Sequence, residues 1–167
     1  MTIRLRAFRQ EDAETLAVIF LRAIREGTAG AYTLAQQQAW ANMQDPPKAW
    51  AERLESKITL VAERDGQVGG FMTLGADGYL DLAFVLPEEK GRGLAAALHD
   101  RMLHEAHLQG VTRLTTDASI VARRFFLKQG WREQAEQQLL RDGQSLTNYR
   151  MDKRIAPDGV SATSHPA

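Results

Sequence analysis

The stretch Phe84-Val-Leu-Pro-Glu-Glu-Lys-Gly-Arg-Gly-Leu-Ala-Ala-Ala-Leu98 constrains the fold more than any other part of the chain. An apolar strand pattern runs into Pro87, a short acidic link follows, and Lys90-Gly91-Arg92-Gly93 opens a helix rich in Ala and Leu. Glycine lets a backbone turn tightly and approach a ligand with no Cβ in the way. The first amides of a helix have no intrahelical acceptor and lie at the positive end of its dipole, so a turn of this kind can cradle phosphate. Lys90 and Arg92 place two cations beside those donors. The helix runs from about Gly93 to Gln109-Gly110, and the β-rich Val111-Thr-Arg-Leu-Thr-Thr follows. Strand, helix and strand then form a βαβ unit, whose strands are expected to be parallel with a right-handed connection.

What flanks this unit sets the fold class. Ile3, Leu5 and Ala7 alternate as a first strand, and Leu16, Ile19, Phe20, Ala23 and Ile24 recur at helical spacing between about Gln10 and Arg25. A second helix is expected from Tyr32 to about Met43, interrupted by Asp45-Pro46-Pro47 before Trp50 resumes it. Asp65-Gly66 and Asp77-Gly78 are turn signals that divide residues 58 to 86 into a three-strand meander. In its last strand, Leu80, Leu82, Phe84 and Leu86 are expected on one face and Tyr79, Asp81, Ala83 and Val85 on the other. Ser119 can cap a helix with Ala122, Phe125 and Phe126 facing inward, stopped by Gly130. A hairpin turning at Arg141-Asp-Gly-Gln closes the domain. This order predicts an α+β fold: a single domain over residues 1–152, with a mixed central sheet, one parallel βαβ crossover and flanking helices. Residues 153–167 lack apolar periodicity and read as a disordered tail.

Composition narrows the function. Lys+Arg 21 balances Asp+Glu 21, so no global attraction to nucleic acid or an anionic membrane is expected, and an anion site must be local. With Cys 0 there is no thiolate ligand and no cysteine nucleophile. The start, Met-Thr-Ile-Arg-Leu-Arg, lacks the apolar core of a signal peptide, so a cytoplasmic location is expected. His99, His104 and His107 do not complete a metal set and read as a solvated helix face, as do Arg123 and Arg124 on the next helix.

Two phosphate signatures compete for the glycine turn. Gly91-Arg-Gly93-Leu-Ala-Ala96 fits the dinucleotide pattern G-x-G-x-x-A, with Asp117 where a ribose-binding acid would stand. Dinucleotide folds repeat βαβ units, whereas here one crossover lies between hairpins. The chain instead resembles the GNAT superfamily of CoA-dependent N-acetyltransferases over roughly residues 3 to 152. That family's main motif is a strand ending Val-x-Pro, then Gln or Arg, two residues, Gly, one residue, and Gly or Ala. Val85-Leu86-Pro87 and Lys90-Gly91-Arg92-Gly93-Leu94-Ala95 resemble it, with Lys90 replacing Gln or Arg. Ala122-Arg-Arg-Phe-Phe126-Leu-Lys-Gln-Gly130-Trp131 is similar to its second motif, with Phe126 where Tyr is usual.

The resemblance implies acetyl-CoA as cosubstrate and no metal. Backbone groups at Phe84 and Val85 would pair with the pantetheine arm, and the turn from Lys90 through Gly91, Arg92, Gly93 and Leu94 to Ala95 would hold the pyrophosphate. Ser119 and Phe126 would flank the cofactor. Asp81, four residues before Val85, is the candidate base, needing a raised pKa or a relay water to deprotonate an ammonium. With no hydroxyl at Phe126, Tyr149 is the first candidate acid, and Tyr32 and Ser119 are further ones. Tyr32, Trp40 and Trp50 would wall the acceptor side. The function implied is acetyl transfer to a primary amine of a small molecule or peptide. The alternative is an acyl-CoA-binding regulatory module with little or no turnover. No nucleic-acid or membrane partner is expected, and a homodimer is left open.

Overall fold

The structure, a computed structural model, describes residues 2–42 and 46–156. Strand β1 (Ile3–Ala7) leads through a 3-10 turn into α1 (Ala13–Gly27), followed by α2 (Leu34–Trp40) and α3 (Pro47–Glu55). Strands β2 (Ile58–Arg64), β3 (Gln67–Leu74) and β4 (Tyr79–Val85) form the meander. A 3-10 turn at Pro87–Glu89 leads to α4 (Leu94–Leu108), then β5 (Arg113–Ser119) and α5 (Ile120–Lys128). The chain closes with β6 (Arg132–Arg141) and β7 (Gln144–Arg154). The seven strands make one sheet in the order β1-β2-β3-β4-β5-β7-β6, and β4 with β5 is its parallel pair among the described residues.

Local chemistry accounts for most boundaries. Thr33 caps α2 in a reciprocal box: its hydroxyl accepts from the Gln36 amide at 3.1 Å, and the Gln36 side chain accepts from the Thr33 amide at 2.8 Å. That helix stops at Trp40, short of the expected extent; Met43 and Asp45 lie outside the described residues. Pro47 opens α3 at a first-turn position, where its missing N–H costs nothing. The hairpin turns have left-handed residues at Asp65 and Gly66 (φ 50° and 82°) and at Asp142 and Gly143 (φ 48° and 77°), the geometry that matches strand twist. Strand β7 continues to Arg154, two residues into the expected tail, and the Ile155 amide still bonds to the Thr112 carbonyl at 2.9 Å. The remainder of that expected tail, residues 157–167, lies outside the described residues.

Helices cover both faces of the sheet. On one, Leu94, Leu98, Met102 and Ala106 of α4 and Phe126 of α5 pack with Leu60, Met72, Leu80, Leu114 and Met151. On the other, Leu16, Ile19, Phe20 and Ile24 of α1 and Trp50 and Leu54 of α3 pack with Val61, Phe71 and Leu82. Leu80 and Leu82 thus belong to opposite cores, contrary to the alternation expected from the sequence. The reason is a bulge: Thr73 pairs with Leu82 but Leu74 pairs with Leu80, so Asp81 is the extra residue and the strand changes face at it. Ala83 and Val85 accordingly pack toward α4, and Phe84 and Leu86 toward α1.

The expected solvated histidine face is corrected at His99, which is 1% exposed. Trp131 Nε1 donates to His99 Nε2 at 2.8 Å, which requires that nitrogen to be unprotonated. Burial pushes the His99 pKa below its ordinary 6.5, only partly offset by the Asp100 carboxylate. His104 is exposed as expected, and His107 Nδ1 lies 3.1 Å from the Ala156 carbonyl. Because the unfolded chain binds the proton more readily, the stabilisation from neutral His99 is complete above about pH 6.5 and declines as pH falls. We expect Tm to fall between pH 7 and pH 5. His99→Gln, which keeps an acceptor for Trp131, should flatten that slope. Thermal scans of both proteins check this; identical slopes would assign the pH dependence to other groups.

Candidate functional site

The site begins where the parallel pairing ends. β4 and β5 register only at Tyr79 with Thr115 and Leu80 with Thr116, and beyond that the strands diverge. Two buried threonines hold the fork. The Leu82 amide donates to Thr73 Oγ1 at 3.0 Å, and Thr116 Oγ1 donates to the Leu80 carbonyl at 2.8 Å. These side chains take backbone groups that the bulge and the divergence withdraw from the ladders. Past Leu80, β4 retains β3 on one side and has no registered partner on the β5 side. An edge of this kind can accept an extended chain as a further strand.

A cavity of about 450 Å³ occupies the fork and is lined from both faces of the sheet. Phe20 of α1, Tyr32, Trp40 of α2 and Phe84 of β4 make an aromatic wall. Ring centroids are 5.0 Å apart for Phe20–Phe84, 6.2 Å for Trp40–Phe84 and 5.4 Å for Tyr32–Trp40. Ala122 and Phe126 of α5 close the opposite side. The wall is braced by Tyr32, whose hydroxyl donates to the Thr147 carbonyl at 2.6 Å and accepts from the Ile120 amide at 2.9 Å. One phenol therefore ties the segment before α2 to both β7 and the start of α5. Burial raises its pKa, against the Ile120 bond, which lowers it.

The floor is charged. Asp81 accepts two hydrogen bonds from Arg53, each 3.0 Å, and Lys57 stands 3.4 Å away. Burial pushes the Asp81 pKa up, but Arg53 and Lys57 outweigh it, and the carboxyl is held below its ordinary 3.8. Asp117 accepts from the Tyr79 hydroxyl at 2.7 Å and from the Gln137 amide at 2.9 Å. Burial and the Asp117 carboxylate push the Tyr79 pKa strongly upward, so this phenol stays protonated as a donor.

The glycine turn has the conformation its sequence implies. Gly91 and Gly93 adopt φ of 77° and 88°, and no side chain caps α4. The Arg92 amide bonds to the Glu89 carbonyl at 3.1 Å, so it is not one of the available donors. Among the described residues the amides of Gly93, Leu94 and Ala95 meet no acceptor, the arrangement of an open helix start. The acids preceding the turn are neutralised from elsewhere. Arg22 grips Glu88 at 3.0 and 2.9 Å, and Arg64 grips the buried Glu89 at 3.0 and 2.8 Å. Arg64 also donates to the Arg92 carbonyl at 2.8 Å, which ties the turn to β2.

Several candidates from the sequence stand apart from the cavity. Trp50 is buried in the α1 core, where its Nε1 donates to the Ala13 carbonyl at 2.9 Å, and it is not among the lining residues. Tyr149 also lies outside the lining; its hydroxyl donates to Glu136 at 3.0 Å, a bond that raises its pKa. Arg123, expected in solvent, stacks 4.4 Å from the Tyr149 ring and pairs with Glu133. Ser119 lines the cavity and caps α5, accepting from the Ala122 amide at 3.0 Å. Thr73, Thr116, Arg53, Tyr79 and Arg150 were not singled out from the sequence. A threonine amid apolar strand residues, as in Phe71-Met-Thr73-Leu, is the signal that could have marked the fork.

The same fold recurs among known acetyltransferases. The family model described as an acetyltransferase (GNAT) domain matches residues 28–153, and the chain belongs to this family of N-acetyltransferases. An uncharacterised N-acetyltransferase of Escherichia coli K12, YafP, is 32% identical over 149 residues, which cover 89% of this chain and 94% of YafP. A crystal structure of a GCN5-related N-acetyltransferase from Rhodopseudomonas palustris is 34% identical, with a TM-score of 0.88 over 93% of this chain and 97% of that one. The PaiA N-acetyltransferase of Thermoplasma acidophilum, solved with coenzyme A, shares the fold at 17% identity and a TM-score of 0.78, covering 93% of this chain and 100% of that one. Among the described residues no cluster of His, Asp and Glu could hold a metal ion, and no helix is long and apolar enough to cross a membrane.

The Tyr32 brace can be tested directly. Tyr32→Phe removes a buried hydroxyl with two backbone partners and should cost about 1–3 kcal/mol of stability. Denaturant unfolding measures it. An unchanged midpoint would mean that water replaces the hydroxyl without loss.

Proposed function

We propose that this protein transfers the acetyl group of acetyl-CoA to a primary amine of a small molecule or peptide. The observation that carries the reading is the cavity through the β4–β5 fork, which has an aromatic wall on one side and α5 on the other. Acetyl-CoA enters from the α4–α5 side. Its pantetheine arm takes the β4 edge at Phe84 and Val85 in place of a strand, and its pyrophosphate sits on the amides of Gly93, Leu94 and Ala95 with Lys90 and Arg92 beside it. Ser119 and Phe126 line the far bank. The acceptor approaches across Tyr32 and Trp40.

In the reaction the ammonium first gives one proton to water, the free amine nitrogen bonds to the thioester carbonyl carbon, and as the C–S bond breaks the sulfur leaves as thiolate and the nitrogen loses a second proton to water. The pairing of Asp81 with Arg53 and Lys57 removes the raised-pKa route to a general base. Its supported role is to anchor a relay water that passes the proton to solvent. Tyr149, bonded to Glu136 outside the cavity, has no route to the sulfur in this arrangement. A thiol pKa of about 8.5 lets the thiolate leave without an acid. Phe126 at the customary tyrosine position is compatible with that step.

Two substitutions test the reading. A Cβ at Gly93 meets nothing within 4 Å, and the strain of its left-handed backbone is shared by Asp and Asn, which enter that region more readily than other side chains. Gly93→Asp should abolish acetyl-CoA binding in calorimetry and Gly93→Asn should retain most of it. Equal affinities would remove the pyrophosphate assignment. Asp81→Asn should lower kcat by about 100-fold, the scale of a lost proton-transfer group, with little change in acetyl-CoA affinity. An unaltered kcat in a thiol-release assay would reduce Asp81 to a structural ion-pair partner. Tight acetyl-CoA binding with no thiol release on any amine would favour the acyl-CoA-binding module.

A further inference from the structure

The cavity floor holds more cationic capacity than its own carboxylates use. Arg150 of β7 stands directly opposite Asp117 of β5 in the ladder and lines the cavity. Its Nε reaches Asp117 Oδ1 only at 3.5 Å, and its guanidinium makes no hydrogen bond among the described residues. Asp117 itself is already served by the Tyr79 hydroxyl and the Gln137 amide. Across Tyr79, Asp81 is shared between two cations, Arg53 and Lys57. Arg141, at the far end of β6, lines the same cavity, and its side chain meets no partner among the described residues. Guanidinium groups beside an apolar aromatic wall, with donors unspent, match an anionic group attached to an apolar body.

We propose that the amine acceptor is an anionic one, an amino acid or related molecule with a bulky apolar side chain, whose carboxylate is received by Arg150. The side chain lies along Phe20, Trp40 and Phe84, and the amino group is directed to the fork, where the thioester is presented. Arg53, tied to Asp81, adds positive potential on the other side of Tyr79. This assignment rests on the acetyl-transfer reading above and adds the substrate class to it.

The test is a thiol-release assay with acetyl-CoA and four matched amines: L-phenylalanine, its methyl ester, phenethylamine, and the aminophosphonate analogue of phenylalanine. Phenylalanine should exceed its ester and phenethylamine in kcat/KM by about 10-fold or more, the worth of a charge-assisted contact. Arg150→Gln should raise KM for phenylalanine by a similar factor and collapse the acid-to-ester ratio toward one. Arg150→Lys should restore part of the preference, which a merely structural residue would not do. Arg150 is 53% exposed at its side chain, so neither change should unfold the domain, and calorimetric acetyl-CoA binding verifies this. Equal use of the aminophosphonate would support the anionic subsite and widen its source to phosphate-like heads. Ester and phenethylamine acetylated as well as phenylalanine would overturn the anionic acceptor while leaving acetyl transfer standing. Thiol release with none of these amines, nor with any from a wider panel, would overturn the acetyl-transfer reading itself.

Discussion

The termination of parallel pairing after Leu80 and Thr116 is the constraint on which the rest of the structure depends. Opening a ladder inside a sheet leaves backbone donors and acceptors without partners, each a cost comparable to a lost hydrogen bond. Here the cost is limited by two side chains. Thr73 takes the Leu82 amide and Thr116 serves the Leu80 carbonyl, and both hydroxyls are buried. The bulge at Asp81 re-aims β4 so that Leu82 and Phe84 pack on α1 while Ala83 and Val85 face α4. A slit through the sheet therefore coexists with two closed cores. Everything that could handle a substrate is arranged around that slit.

Electrostatics divides the molecule into regions in spite of its zero net charge. At the glycine turn, Glu88 and Glu89 would repel an anionic ligand if left alone; Arg22 and Arg64 neutralise them from α1 and β2. At the cavity floor the balance again favours cations, because Asp81 answers to both Arg53 and Lys57. A balanced composition thus conceals local positive potential at two separate places. Only the spatial pairing of charges reveals it, since a paired arginine and an unspent one look alike in sequence.

Much of the architecture was legible beforehand. Strand alternation, the Asp-Gly turns, the Ser119 cap and the glycine turn are local signals, and each element they implied is present. The faces of β4 differ from the sequence expectation because period-2 alternation carries no mark of an inserted residue; the bulge follows from pairing with β3. The resemblance sets Trp50 beside Tyr32 and Trp40 on the acceptor side, yet its indole is anchored to Ala13 inside the α1 core. His99 reads as part of a solvated helix face in the sequence, though its environment is supplied by Trp131, which is distant in sequence.

The sequence by itself determined the order of elements, the single crossover between hairpins and the left-handed glycines of the turn, because each depends on residues within a few positions of one another. The tertiary structure decided where the sheet forks, which aromatics face the cavity, which carboxylates are already neutralised and that Arg150 retains donors to offer. Those features arise between strands and helices that are far apart in the chain, where pairing register, burial and distance settle the chemistry of each side chain. The Lys90-Gly91-Arg92-Gly93 turn could announce an anion site from its own residues. What that site serves depended on the fork beside it.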